Sequence, residues 1–478
     1  MITSFVVFLL AFTLIGLSSS WKSRHTKEDY YLASKSISPW LAGLSAVATN
    51  NSGYMFIGVI GYTYVTGLAS IWLMIGWIAG DLIGSLFVHS RLRTSAGETG
   101  EPSFSGAIRA WAGVESRQWQ LMAAIASFVL LLAYAGAQLV AGSKALHVLI
   151  GWPQWAGAVV GAVMVALYCM AGGIRASIWT DAAQSVVMIT SMGLLLVTCV
   201  STLGGMDQVV LEMAAIDGYL DWFPKDLVVP GLAGGVIFAL GWMFAGLSVV
   251  GQPHVMVRFM TLTDPGHMTR ARIWYYLWFT AFYAMATGVG MLSRIFLTDA
   301  ASFDAELALP TMAMEILPGP LVGLVLAGIF AATMSTADSL LLSCSSALTH
   351  DILPRRIEKA RLLKIATVLI TALALAWALF NRQSVFSLVI MAWSGLAVIF
   401  APVLLVLACG GRLGNGVMVA MSVTGMAVAI CWRYLGWHAD LYEGMPGILA
   451  ALLVYGFSRL PLFATASTGQ VQATEQNG

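Results

Sequence analysis

Ala48-Thr49-Asn50-Asn51-Ser52-Gly53 interrupts an apolar run that reaches from residue 38 to residue 64. A second interruption, Gly246-Leu247-Ser248 followed by Gly251-Gln252-Pro253, falls inside the run 229–257. Pro253 has no backbone donor and clashes with the preceding turn of any helix. Apolar runs of about 20 residues are long enough to cross a bilayer. An intact spanning helix satisfies its own backbone, so irregular backbone at membrane depth is tolerated only where it lines a cavity. The two interruptions therefore point to one.

Thirteen such runs are visible: 3–19, 38–64, 66–90, 118–147, 154–172, 176–201, 229–257, 271–297, 318–346, 361–380, 385–409, 416–435 and 444–463. The interrupted ones are the second and the seventh. A spacing of five sets them in the membrane in opposite directions. Two inverted five-helix units, each opened by a broken helix, are the sequence pattern of a secondary transporter. Either break alone could be an ordinary kinked helix; two at matching positions favour the transporter. Gly53, Gly251 and Pro253 are the expected hinges. The expected organisation is a first helix and cytoplasmic loop (1–37), repeat one (38–202), an outer loop (203–228), repeat two (229–409), two accessory helices (410–463) and a disordered tail (464–478).

Composition agrees. Of 478 residues, 59% are hydrophobic and 10% charged, far below the roughly 25% charged residues of soluble domains. A net charge of +1 offers no field for nucleic acid, so no nucleic-acid partner is expected. Cys169, Cys199, Cys344, Cys409 and Cys431 form no CxxC pair and read as small core hydrophobes. The first run lacks a basic leading region and a clear cleavage site, and reads as a retained helix. With the N-terminus outside, 19 of the 24 Lys and Arg residues fall in cytoplasmic segments, among them Arg24, Arg175, Arg258, Arg355, Arg356 and Arg459. The outer segments keep Lys225, Arg294, Arg382 and Arg433, and this is the bias that sets topology. Lys144, inside a span, reads as a snorkelling residue.

Polar side chains inside the runs are the candidate site. Ser335 and Thr336 are adjacent hydroxyls; with carbonyls freed by a neighbouring broken helix they would make an all-oxygen cage for a hard monovalent cation. Membrane Ser and Thr also bond simply to the preceding turn. Asp181, Asp338 and Asp81 are intramembrane acids, costly and so telling. Asp181 is the best functional candidate of the three, as a second ion site or proton relay. Tyr134 and Gln138 share a helical face and could line a solute cavity or clasp a neighbouring helix. Trp242 and Phe244 precede the second break, where an aromatic could lid the cavity or pack. His254 reads as structural. No Walker loop, GxSxG, HExxH or GxGxxG after a strand is present, so an enzyme is not expected and the energy must come from a gradient.

The sequence resembles the sodium/solute symporter family, and within it the bacterial proline permease branch. The segments that carry the resemblance are Gly172-Gly173 through Trp179-Thr180-Asp181 and Gln184, Gly251-Gln252-Pro253-His254 through Arg258-Phe259-Met260, Met334-Ser335-Thr336 with Cys344-Ser345-Ser346, Ala392-Trp393-Ser394-Gly395, and Leu441-Tyr442-Glu443 with Pro446-Gly447. The resemblance implies an all-α leucine-transporter-like fold. It implies sodium held by backbone oxygens of Ala48, Asn51 and Ala332 and hydroxyls of Ser335 and Thr336, and a second sodium at Asp181 and Ser339. Asp338 stands where a hydroxyl would be expected at that second site. The resemblance puts Tyr134 in the substrate cavity, with Asn50, Ser52, Gln138, Ala245 and Val249 as further expected contacts. Asn50 replaces an aspartate of the proline permeases, Ala245 a tryptophan and Val249 a tyrosine, which implies a wider cavity of altered chemistry.

The expected function is sodium-coupled symport of a small organic solute by alternating access, proline first. The alternatives are another small carboxylate, pantothenate- or sialic-acid-like, or a solute-sensing membrane receptor. Expected partners are solute, sodium and lipid bilayer, with the chain a monomer in the inner cell membrane and its C-terminus cytoplasmic.

Overall fold

The computed structural model describes residues 1–227, 229–298, 303–353, 357–380, 384–439 and 441–460. Its principal helices are α1 (Ile2–Ser18), α2 (Pro39–Asn50), α3 (Ile60–Thr66), α4 (Ile71–Thr99), α5 (Gln118–Ile150), α6 (Gln154–Gly172), α7 (Ile174–Thr202), α8 (Gly231–Leu247), α9 (Pro253–Met260), α10 (Met268–Phe296), α11 (Gly319–Ser346), α12 (Ala360–Phe380), α13 (Val385–Ala408), α14 (Asn415–Tyr434) and α15 (Gly444–Ser458). Among the described residues the extended contact is one isolated parallel bridge, between Ile37 and Leu262.

Each of the thirteen expected runs is mostly helical where described, the second and seventh apart from their breaks. Among the described residues ten helical stretches are long and apolar enough to cross a membrane, fewer than thirteen for local reasons. Met55–Thr99 passes through two expected spans as one stretch of 45 residues. Helix α10 is 29 residues long but rich in tyrosine, tryptophan and arginine, which lower its hydropathy. Helix α15 has only 15 residues.

Both interruptions are breaks in the backbone. Helix α2 stops at Asn50, and Asn51 leaves helical geometry at φ −90° and ψ 64°. The chain re-enters helix through a π-turn at Met55–Val59 and continues as α3. Helix α8 passes into a tight 3-10 turn at Ser248–Gly251, and Gln252 is extended at φ −97° and ψ 102°. Pro253 then opens α9 at a first-turn position, where a missing N–H costs nothing.

The broken rods lie at the centre. Helix α2 packs on α7, α9, α10 and α11, and the turn at Ser248–Gly251 packs on α13. Helices α11 and α13 are the most enclosed spans, with 83% and 89% of their apolar windows buried, against 22% for the peripheral α1. Close approach explains two of the expected hinge residues. A Cβ on Gly251 would lie 2.9 Å from Cα of Ala397. One on Gly53 would collide with Thr333 of α11 and reach within 3.0 Å of Gln138 Oε1.

At the end of the bundle where α2 begins, the main chain closes on itself. Ile37 N–H donates to Thr261 O at 3.2 Å, and Thr263 N–H donates to Ile37 O at 3.3 Å. Arg93 Nε caps Leu262 O at 2.8 Å. Arg175 Nη2 pairs with Asp29 Oδ1 at 2.6 Å and also donates to Ala33 O. Burial alone would raise the Asp29 carboxyl. The Arg24 backbone N–H, Arg175 and Ser34 together hold it below its ordinary value of 3.8.

Several expectations change. Arg258 is not a surface residue of a cytoplasmic segment: its side chain is 0% exposed. Arg175 is likewise buried, against Asp29. Lys144 does not snorkel; it pairs with Glu306 at 2.6 Å and Asp304 at 3.3 Å. Cys169, Cys199 and Cys344 are buried, whereas Cys409 and Cys431 are exposed on the outside of the bundle rather than in the core. Arg355, Arg356, Arg382 and the expected tail lie outside the described residues.

Candidate ion and solute site

The first break frees carbonyls that a regular helix would use. Asn51 N–H still reaches Val47 O, and its side-chain amide doubles back to the same carbonyl at 2.9 Å. The carbonyls of Ala48 and Thr49 are picked up by α11 instead. Ser335 Oγ lies 3.1 Å from both Ala48 O and Ala332 O, and Thr336 Oγ1 donates to Thr49 O at 2.9 Å. Of the five donors expected for sodium, Ala48, Ala332 and Ser335 thus meet directly, and Thr336 is one carbonyl away. Asn51 sits at the break itself, its side-chain amide bonded to Val47 O. A cation entering between these groups would replace hydroxyl-to-carbonyl hydrogen bonds with lone pairs, which is the chemistry a monovalent oxygen cage requires.

The expected solute contacts gather around the same gap. Tyr134 and Gln138 clasp the first break, with Tyr134 OH 3.3 Å from Ser52 Oγ and Gly53 N–H donating to Gln138 Oε1 at 2.9 Å. Across from them stands the second break. The Tyr134 ring meets His254 edge-on at 5.5 Å, and His254 meets Trp393 at 6.2 Å. Trp393 Nε1 donates to Ala245 O at 3.0 Å, and Gln252 donates to Trp393 O at 3.0 Å. Val249 is fully buried beside them, and its carbonyl accepts from Gln252 N–H. Asn50 points elsewhere with its amide, to Tyr275 OH at 2.7 Å, and Tyr275 donates onward to Asp81 at 2.7 Å.

Several polar atoms here are unmet. Asn50 Oδ1, Gln138 Nε2, Gln252 Oε1 and both ring nitrogens of His254 are buried without a partner. Leaving one buried polar group unpaired costs about 1–3 kcal/mol, so a cluster of them marks a place that a polar ligand completes. All six expected solute contacts are 6% exposed or less, so the gap is sealed in this conformation. Beyond α3 a cavity of about 200 Å³ opens, lined by Tyr62, Trp242, Phe386, Arg433, Tyr442 and Glu443. Its floor is aromatic. Trp242 stacks on Trp77 at 6.4 Å, and Trp77 lies 5.3 Å from Trp393. Trp242 is thus one of the rings between the cavity and the gap.

Asp181 and Ser339, the expected second ion site, do come together, in company the sequence did not announce. Asp181 Oδ2 accepts from Ser45 Oγ at 2.6 Å and lies 3.5 Å from Thr49 Oγ1 and Ser177 Oγ. Asp338 Oδ1 accepts from Ser177 at 2.8 Å and from Ser339 at 3.0 Å. Between the two acids runs the side chain of Arg258. Gln252, Trp393, Ser45, Ser177 and Arg258 were not singled out by residue type. The signal available was position: Gln252 sits at the second break and Arg258 in the short helix that follows it.

Two opposed broken helices around a sealed, oxygen-lined gap define a solute transporter of the membrane. The comparisons agree. Residues 30–423 match the sodium:solute symporter family. The chain is similar to the sodium/proline symporter of Salmonella typhimurium, 28% identical over 489 residues and covering 98% of this chain and 94% of that protein. It is 29% identical over 454 residues to the high-affinity proline transporter PutP of Bacillus subtilis, covering 92% and 93% of the two chains. Among solved structures, a Na+-coupled sialic acid symporter in a substrate-bound outward-open state superposes with a TM-score of 0.81 at 18% identity, over 97% of this chain and 98% of that one. MHP1, a nucleobase-cation-symport-1 family transporter, reaches 0.60 at 14% identity, over 92% and 97%. The chain belongs to the sodium:solute symporter family. It has the leucine-transporter-like fold expected of it, is a multi-pass membrane protein and works as a sodium-coupled secondary transporter rather than an enzyme.

Proposed function

We propose that the chain imports proline, or an amino acid close to it in size, together with sodium, by alternating access across the inner cell membrane. The observation that carries this reading is the meeting of Ser335 Oγ with Ala48 O and Ala332 O at 3.1 Å, beside the unpaired polar atoms of the gap. Sodium sits among Ala48, Asn51, Ala332, Ser335 and Thr336. The solute sits against Asn50, Ser52, Tyr134, Gln138, Ala245 and Val249, with His254, Gln252 and Trp393 added. A carboxylated solute is a natural partner for the N-terminus of α9 at Pro253, where the helix dipole presents partial positive charge. Repeats 38–202 and 229–409 move against each other about Gly53, Gly251 and Pro253. The chain acts as a monomer with its N-terminus outside, so the cavity at Arg433 and Glu443 is the outer vestibule. One inward charge gains about 2.3 kcal/mol per 100 mV, and a tenfold sodium gradient adds about 1.4 kcal/mol. Together these support roughly 500-fold accumulation.

Purified protein in liposomes takes up labelled proline faster under an inward sodium gradient than under a potassium gradient; equal rates would end the reading. A second reading, another small carboxylate, draws on Ala245 and Val249, both small. A thermal-shift screen of amino acids and organic acids with and without sodium separates the two, because a ligand of the folded state stabilises it.

A further inference from the structure

The donors that the family resemblance assigns to a second sodium already surround a cation of the chain's own. Arg258 lies in α9, five residues past Pro253, with its side chain 0% exposed. Its Nη2 donates to Ser177 Oγ at 2.6 Å and to Ser339 Oγ. The same atom lies 3.5 Å from Asp181 Oδ2 and 3.8 Å from Asp338 Oδ1. Four side-chain oxygens from α7 and α11 thus converge on one nitrogen. Its neighbours Nε and Nη1 have no partner. Arginine normally meets carboxylates with two parallel N–H groups. Here one corner of the guanidinium stands among oxygens as a point charge does.

We propose that Arg258 Nη2 is the resident occupant of the second cation position, so that this site takes no sodium and each protein binds one sodium, at Ala48 and Ser335. The inference rests on the sodium reading of that first cage. Asp338, an acid in place of the expected hydroxyl, supplies the added negative charge that holds a guanidinium out of water; buried charges persist only when paired. A sodium ion bound to Asp181 and Ser339 would have to share both ligands with Nη2, and like charges in a dry site repel strongly. The tether also makes this cation part of the moving half of the second broken helix. It cannot be released to either side, and it contributes charge but no driving force.

Equilibrium binding of radioactive sodium to the purified full chain tests this without knowledge of the solute. The wild type is expected to bind about one sodium, lost in Ser335→Ala. Arg258→Met, which keeps the bulk and removes the charge, is expected to bind about two, with the second lost again when Asp181→Asn is added. Arg258→Lys is expected to bind one. Two sites in the wild type, one of them removed by Asp181→Asn, would overturn the proposal, as would a folded Arg258→Met that binds only one. If Arg258→Met does not fold, the wild-type count alone and its response to Asp181→Asn decide. Absence of saturable sodium binding, or binding indifferent to Ser335→Ala, would overturn the underlying sodium cage instead.

Discussion

Asn50 donates its side-chain amide to the hydroxyl of Tyr275 at 2.7 Å, and this direction is forced. Tyr275 gives its own single proton to Asp81, 2.7 Å away, and the amide nitrogen of Asn50 can only donate. The tyrosine oxygen can then only accept from residue 50, and an amide supplies the donor where an aspartate would not. The asparagine at this position is thereby tied to Asp81, a residue in another span.

Asn50→Asp is expected to lower the melting point, since two acceptors would face one hydroxyl at a cost of about 1–3 kcal/mol. Adding Asp81→Asn reverses the chain of donors and is expected to restore most of the loss. A double-mutant cycle by thermal unfolding checks this; additive losses would show that the relay does not couple the two positions.

Ser335→Ala and Thr336→Ala each remove an oxygen from the proposed cage. The sodium concentration for half-maximal uptake is expected to rise about tenfold or more, which is about 1.4 kcal/mol. Sodium titration of proline uptake in liposomes is the measurement, and an unchanged midpoint would put the ion elsewhere.

Gly53→Ala inserts a methyl group against Thr333, within 3.0 Å of Gln138 Oε1 and 3.2 Å of Ala141 Cβ. Overpacking of this kind costs about 1–3 kcal/mol. Reduced melting temperature and reduced transport are expected together. Thr333→Ser, which removes the methyl that collides, should recover part of both if contact rather than backbone freedom is the cause.

Asp29 gives a pH dependence of known sign. Its folded carboxyl is held below 3.8, so its stabilising contribution is present above that ordinary value and is lost as pH falls through the depressed one. Asp29→Asn is expected to be less stable than the wild type at neutral pH and to close that gap below about pH 4. Melting curves of both proteins between neutral and acid pH check the crossing.

The breaks were legible because their causes are local. Pro253 removes a helix donor wherever it occurs, the polar run Thr49–Ser52 stands out in an apolar span, and Ser335 and Thr336 announce themselves as paired hydroxyls. What the sequence did not disclose depends on convergence across long separations. Asp181 and Asp338 stand 3.5 and 3.8 Å from Arg258 only because α7, α9 and α11 cross there. Read along the chain, Arg258 is one more basic residue after a span, indistinguishable from those that set topology. Lys144 misled in the same way, since its partner Glu306 lies 162 positions on. Trp393 and Gln252 bond to backbone rather than to each other's side chains, and no periodicity reports such a contact.

The paired amides and carbonyls at Ile37, Thr261 and Thr263 have a consequence for how such a machine can diverge. That fastening is written in backbone N–H and C=O groups, and proline alone lacks the N–H. Neighbouring positions are therefore free to drift toward new cargo while the shutter on that face keeps its latch, and a proline at Ile37 or Thr263 is the one kind of change the latch does not survive.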